Sequence, residues 1–358
     1  MMENMADMLY SSYIRYDRMY EMTRFAFHGY DSDHVNVYVD VYSMLKILYS
    51  RYQNMEIRDS YAIASCMINL AIHIRGYFES RHRTTSTIYL IYGGARLVPQ
   101  LLNNLPEYNS KNILMEDSDS RIKDLIKDNL EVMRILCPYL NDIFCVVDDN
   151  NEFSAISAYL IQKQNPNIPN VIYSKSQLAY QLVAYFPKTF LYRPKKSRGE
   201  DVSWVVTKST LIDAYRFGEL KLKKETVPIN YKLLNIYQTI SGLKDRSITG
   251  LINATNSVAK IKFLVDSRLL LDGYNSPAVI RENSNNNICK VFETIGLQED
   301  ECLRRLSVID LQSQTVVYSL GPSVMELSRA IVNLYDPDTV KAINNKYFDK
   351  YPLDLNRV

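Results

Sequence analysis

The sequence predicts an α/β fold: an open, mostly parallel sheet flanked by helices, then a helical region, then a mixed C-terminal extension. Three observations carry this. Between residues 35 and 192, short runs rich in β-branched residues alternate with segments of helical period, the pattern of parallel α/β sheets. Those runs end in polar residues or glycine. After residue 230 the apolar spacing becomes helical. A chain of 358 residues exceeds one ordinary core. Four parts are expected: an N-terminal helical extension (1–34), the sheet domain (35–192), a basic loop with a helical region (193–275) and a C-terminal extension (276–358).

Residues 1–30 read as an amphipathic helix, with Met8, Tyr13, Tyr16, Met19, Tyr20 and Phe25 among charged residues; it packs on the body or on a partner. Val35–Asp40 alternates as a strand and runs into a helical stretch, Val41–Leu48. A longer helix is expected at about 60–80 and a second strand at Ile88–Tyr92, closed by Gly93-Gly94. Residues 119–137 place Ile122, Leu125, Ile126, Leu130, Met133 and Leu136 on one helical face. A third strand is Ile143–Val147, and a helix spans Ser154–Gln164. The fourth strand is Asn170–Tyr173, followed by a helix at Ser176–Tyr185 and a strand at Thr189–Tyr192. In such sheets the ligand site lies at the carboxyl ends of the strands. Asp40, Tyr92-Gly93-Gly94, Asp148-Asp149 and Ser174-Lys175-Ser176 stand there.

Beyond the sheet, helices are expected at Asn230–Ser241 and Ser257–Leu271, with a Gly-bounded turn at 241–251 between them. Asn283–Asn287 reads as a loop and Thr315–Tyr318 as a strand.

Hydrophobic content of 47% and charged content of 23% describe a globular protein. No apolar run approaches the roughly 18 residues of a membrane span, so no membrane partner is expected. Met1–Asp7 lacks the basic start of a secretory signal. Cys66, Cys137, Cys145, Cys289 and Cys302 form no CxxC pair, which fits reduced thiols and a cytoplasmic location. His28, His34, His73 and His82 lack zinc-ligand spacing. The net charge of +2 hides an asymmetry: residues 191–262 hold fourteen Lys and Arg against six Asp and Glu. That stretch is either a polyanion contact or a solvated charged surface. Abundant Tyr, Asn and Ile with scarce Gly accord with AT-rich genomes, including those of many viruses and phages.

The order of motifs resembles the flap endonucleases, the structure-specific 5′ nucleases with a PIN-like domain and a helix-three-turn-helix element. In that family the first strand ends in Asp, and Asp40 matches. The second strand carries a ligand Asp within Phe-Asp-Gly, where Ile91-Tyr92-Gly93 stands here. A Tyr-Lys motif opens a mobile arch, and Tyr108-Asn109-Ser110-Lys111 is similar. The Glu-Ala-Asp-Asp motif matches Glu152-Phe153-Ser154-Ala155, with both Asp lost. Ser-x-Asp-x-Asp-Leu-Leu-Gln-Leu matches Ser174–Leu182, where Ser176 and Leu178 replace the acids. Gly242-Leu243 replaces a Gly-Asp, and Ile248-Thr249-Gly250 resembles an Ile-Pro-Gly turn.

The resemblance covers residues 35–271 and implies a family that cleaves phosphodiesters with two divalent ions about 3.5–4 Å apart. Such hard ions need several carboxylates. The residual acids are Asp40, Asp148, Asp149 and Glu152, so no catalytic residue, metal or cofactor is expected. If a metal binds at all, Asp40, Asp149 and Glu152 would hold it as Mg²⁺ or Mn²⁺; alternatively Asp148 and Asp149 lie in a polar loop that caps the next helix. Nucleic-acid contacts, to DNA or RNA, would fall to Lys111, to Arg193, Lys195, Lys196 and Arg198, and to Lys244, Arg246, Lys260 and Lys262; for Lys111 and the 193–198 group a surface loop is the competing reading. The expected protein is a non-catalytic nuclease relative that binds nucleic acid or joins a viral or phage assembly, with 1–34 and 276–358 as protein interfaces. An active metal-dependent 5′ nuclease with a rearranged acidic site, or a virion structural protein reusing the fold, are the alternatives.

Overall fold

The structure is a computed structural model. It describes residues 33–41, 60–93, 130–133, 136–140, 142–148, 166–186, 188–193, 196–197, 200–201, 204–206, 231–243, 248, 250–251, 292, 296–311, 336–349 and 352–353. A six-stranded sheet organises it. The strands are β1 (His34–Asp40), β2 (Thr85–Gly93), β3 (Ile143–Asp148), β4 (Asn170–Tyr173), β5 (Thr189–Arg193) and, after the short strands β6 (Lys196–Ser197) and β7 (Glu200–Asp201), β8 (Trp204–Val206). Their order is β3-β2-β1-β4-β5-β8. The first five are parallel. β8 runs antiparallel to β5, and β6 pairs with β7 as a separate hairpin. The five parallel strands match the sequence expectation. The antiparallel edge has no counterpart in it, because strands of two or three residues are too short to show a period.

A parallel sheet must be covered on both faces, and the alternation of β1 shows how. Val35, Val37 and Val39 point into the main core, while Asn36, Tyr38 and Asp40 occupy the other face. In register with Val37 the core face carries Ile88, Ile143, Val171 and Phe190. On the opposite face Tyr38, Tyr89 and Phe144 form an aromatic row across three strands, with ring centroids 5.1 and 5.6 Å apart. Tyr38 is fully buried, and its hydroxyl donates to Asn170 Oδ1 at 3.2 Å.

The core face is closed by α1 (Ser60–Tyr77), whose Ala64, Met67, Ile68, Ala71 and Ile72 recur at helical spacing. The helix ends in a π-turn at Phe78–His82, stopped by Arg83 in the left-handed region (φ 52°). A 3₁₀ turn at Cys137–Tyr139 leads into β3. The same core includes Val340 and Ile343 of the C-terminal helix α5 (Pro337–Tyr347), with Phe348 and Leu353. Asp336 caps α5 by accepting from the Asp338 N–H, and Pro337 follows at the first helical position.

The other face near β4 and β5 is served by α2 (Ala179–Tyr185), α3 (Tyr231–Ser241) and α4 (Glu299–Ile309). Their contact is polar and buried. Gln181 Nε2 donates to Gln238 Oε1 (2.6 Å) and to the Ile309 carbonyl (2.8 Å), and Gln181 Oε1 accepts from the Leu311 N–H (3.0 Å). Tyr185 donates to Asp310 at 2.6 Å, and Asn235 bonds both. α4 and α5 both belong to 276–358, so their buried faces are packed within this chain rather than offered to a partner. Both helices fall where the sequence suggests only a mixed region. The expectations for 1–30, Val41–Leu48 beyond its first residue, Ser154–Gln164, Ser257–Leu271, Asn283–Asn287 and Thr315–Tyr318 lie outside the described residues.

Gln181 satisfies a carbonyl, an N–H and a second amide at once, so its removal strands three buried partners. Gln181→Ala is expected to lower the unfolding free energy by about 2–4 kcal/mol, read by urea denaturation of the full chain. A loss under about 0.5 kcal/mol, the range of ordinary surface changes, would show that this joint is not structural.

Candidate functional site

The winding of the sheet locates the site. From β1 the chain moves outward to β2 and β3, then returns to the other side of β1 for β4 and β5. The direction of crossover therefore reverses between β1 and β4. In open α/β sheets the carboxyl ends at that reversal bound a crevice, because the connections leave the sheet in opposite directions there.

Val39, Tyr173 and Tyr192 stand in register across β1, β4 and β5 and all point into the core. The next residue on each strand projects from the opposite face. Those residues are Asp40, Ser174 and Arg193. The Ser174 N–H donates to the Tyr192 carbonyl at 3.2 Å, which carries the pairing one step past the formal end of β4. Asp40 is 5% exposed and accepts from Ser174 Oγ at 2.6 Å. Ser174 Oγ also accepts from the Ser176 N–H at 3.0 Å, and Ser176 Oγ accepts from the Leu178 N–H at 3.2 Å. The two serines thus form successive side-chain turns that lead into α2. Their hydroxyls are engaged in shaping that connection and in holding Asp40.

The aligned acid positions have separate fates. Ser176 is buried as a turn-forming residue. Leu178 is fully buried. Tyr92 lies on the core face of β2, opposite to the face of Asp40, and is 3% exposed. Burial pushes its phenol well above the ordinary value, and the neighbouring Cys145 and Cys137 add to this. A thiol hydrogen bond with Cys145, then burial, raises Cys137 in the same way. Tyr92 is therefore a core residue and not a neighbour of Asp40. Leu243, at the position of the Gly-Asp acid, is also buried.

Asp148 ends β3 opposite Gly93. Asp149 and Glu152 lie outside the described residues. Among the described residues no group of three His, Cys, Asp or Glu stands ready for a metal ion. Among the described residues, Asp40 is tied to Ser174, and Leu178 and Tyr92, at two aligned acid positions, lie in apolar packing and offer no oxygen of the kind a hard divalent ion prefers.

Of the basic residues expected to meet nucleic acid, Arg193 is placed at the strand-end row. Its guanidinium lies over the Tyr180 ring, 5.0 Å from the centroid. Lys196 is in the β6–β7 hairpin, opposite Asp201 in register. Lys111, Lys195, Arg198, Lys244, Arg246, Lys260 and Lys262 lie outside the described residues. The turn that precedes Lys244 is well defined, however. α3 ends at Gly242, whose φ of 72° suits glycine. Leu243 and Ile248 then exchange two backbone hydrogen bonds of 3.0 Å, bracketing Lys244–Ser247 in the sequence. Leu251 returns its N–H to the Ile240 carbonyl at 2.7 Å. At Gly250 a Cβ would stand 2.9 Å from the Ser241 carbonyl oxygen, so the backbone crossing demands glycine.

Sequence reasoning missed Tyr180 as the partner of Arg193. Their separation of thirteen residues gives no periodic signal; only the packing of α2 on β5 unites them.

No family model matches the chain, and no curated protein matches it in sequence. Solved structures do. The bacteriophage T5 D15 protein crystallised with metal ions is 13% identical, with a TM-score of 0.48; the T5 5′-exonuclease with zinc bound is 13% identical, with a TM-score of 0.49. A T5 D15 flap endonuclease pseudo-enzyme–product complex with DNA and metal ions is 12% identical, with a TM-score of 0.47. Each alignment covers 88% of this chain and 98% of the other.

Two substitutions test the site. Leu178→Asp restores the acid of the aligned motif but buries a carboxylate in an apolar setting. It should cost roughly 3 kcal/mol or more at neutral pH. Burial would raise the new group's folded-state pKa, so the deficit should shrink as pH falls through that value. Gly250→Ala should cost about 1–3 kcal/mol, the range of steric overpacking, without moving any charge. Thermal melts of both variants across pH separate the two mechanisms.

Proposed function

We propose that this protein is a non-catalytic, flap-endonuclease-like protein that binds nucleic acid through charge and backbone contacts. The observation that carries this reading is the state of the strand-end row. On β1 its carboxylate, Asp40, is buried and held by Ser174 Oγ at 2.6 Å, and the residue that continues the row on β5 is a cation, Arg193. Two-metal hydrolysis needs converging acids that bridge two ions. A row that presents carboxylate, hydroxyl and guanidinium has the opposite character at one end: it attracts a phosphate and repels a second cation.

Phosphate contacts use different groups from hydrolysis and survive the loss of acids. The backbone bridge between Leu243 and Ile248 brackets Lys244 and Arg246 in the sequence, and this arrangement supports a helix-three-turn-helix reading of residues 240–264. Backbone N–H groups and nearby cations are what such turns offer to phosphates. The basic stretch of 191–262 would add counterion release as a driving force. A role within a viral or phage assembly is part of the same proposal, with 1–34 and the undescribed parts of 276–358 as surfaces for a protein partner.

The full chain incubated with branched and 5′-flap DNA in Mn²⁺ should release no product above background. Its duplex binding should weaken steeply with salt. Reversing the charge of Lys244 and Arg246 should reduce the slope of log affinity against log salt by about 0.9 for each phosphate no longer neutralised. Cleavage that depends on metal and vanishes in Asp40→Ala would overturn the reading and favour a rearranged acidic site. Binding indifferent to salt would leave a scaffold role instead.

A further inference from the structure

Arg193 differs from the other basic residues of its group. It is the last residue of β5, half-buried, and on the face of the sheet that carries Asp40 and Ser174. Its guanidinium rests on Tyr180, a ring that is itself 4% exposed and fixed in α2. The face of the ring attracts the cation and gives the guanidinium a fixed support on one side. One terminal nitrogen is buried and has no hydrogen-bond acceptor. A charged donor withdrawn from water without an acceptor is disfavoured, so the guanidinium gains when a shift of its cover brings an anion within reach.

The carboxylates within reach by topology do not supply that acceptor. Asp40 shares the row but is bonded to Ser174, which stands between the two strands. The oxygens of a phosphodiester match the planar fork of an arginine, and the crevice at the β1–β4 reversal is where a ligand enters such a sheet. We infer that Arg193, held over Tyr180, binds a backbone phosphate of a single nucleic-acid strand directly, at the end of the sheet where a nuclease of this architecture would use metal ions. This rests on the nucleic-acid-binding reading above and makes it metal-independent at a named residue. Ser174, which lies between Arg193 and Asp40 in the row, donates its hydroxyl to Asp40 and so holds that carboxylate on the β1 side.

The test uses the full-length chain, a fluorescent oligothymidylate and an excess of EDTA. Wild type should bind the strand without metal. Arg193→Gln should bind about tenfold or more weakly, as for loss of a charge-assisted hydrogen bond, and its slope of log affinity against log salt should fall by about 0.7, the single-strand value for one phosphate. Arg193→Lys should restore the slope, since it keeps the charge, but not the full affinity, since it loses the fork and the stack. A purely structural arginine would lower the melting temperature and leave the slope unchanged.

If Arg193→Gln does not fold, Arg193→Lys carries the decision: wild-type affinity in that variant overturns the inference. Arg193→Gln that folds and binds as wild type, with the same slope, also overturns it while leaving the nucleic-acid reading intact. Failure of wild-type protein to bind any strand in EDTA overturns both. Protection of the wild-type fold by inorganic phosphate without oligonucleotide binding marks a free-anion site and rejects the strand assignment.

Discussion

β1 is hydrogen-bonded along its length to β2 on one side and to β4 on the other, and the chain reverses its winding at the β1–β4 seam. This double pairing is the constraint on which the rest depends. It forces β1 to be buried on both faces, so its residues are either core or hydrogen-bonded. Val35, Val37 and Val39 share one core with residues of α1 and α5, and Tyr38 joins an aromatic row anchored by Asn170. It also places the carboxyl end of β1 at the point where the winding reverses. Asp40 has almost no exposure there, and a buried carboxylate must be hydrogen-bonded. Ser174, the residue beside it on β4, meets that requirement.

From that bond the chemistry of the site can be followed outward. Ser174 and Ser176 form side-chain turns that aim α2, and α2 in turn carries Tyr180 over β5. The connection where the aligned motif has acids is here an element of structure, packed by Leu178 below. The same helix is fastened to α3 and α4 through Gln181, so the C-terminal region and the strand-end row are parts of one mechanical unit. Buried amide hydrogen bonds therefore fix the position of α2 and of the strand-end row it covers.

The central strands can be read along the chain because each carries its own local pattern: β-branched runs, closed by glycine or polar residues, separated by helical periods. The helix at 231–241 is equally plain, with its glycine stop. α4 and α5 escape such a reading, although Gln298 before Glu299-Asp300-Glu301 and Asp336 before Pro337 are recognisable helix starts. Their apolar faces are narrow and interrupted by Arg305 and Asn344, which are buried because Glu301 and the Leu353 N–H satisfy them. Such polar core positions look like surface until their partners are known.

By itself the sequence determined the sheet class, the strand order of acids and non-acids, and the identity of the residues at the strand ends, since these follow from local period and from side-chain chemistry. It placed Asp40 and Arg193 among the candidates without relating them. Only the tertiary structure decided that Tyr92 turns into the core away from Asp40, that Ser174 is bonded to Asp40 across 134 positions, and that Tyr180 supports Arg193. The reason is physical: the face a strand residue occupies is set by register against its neighbours, and register is a property of paired strands rather than of any one segment.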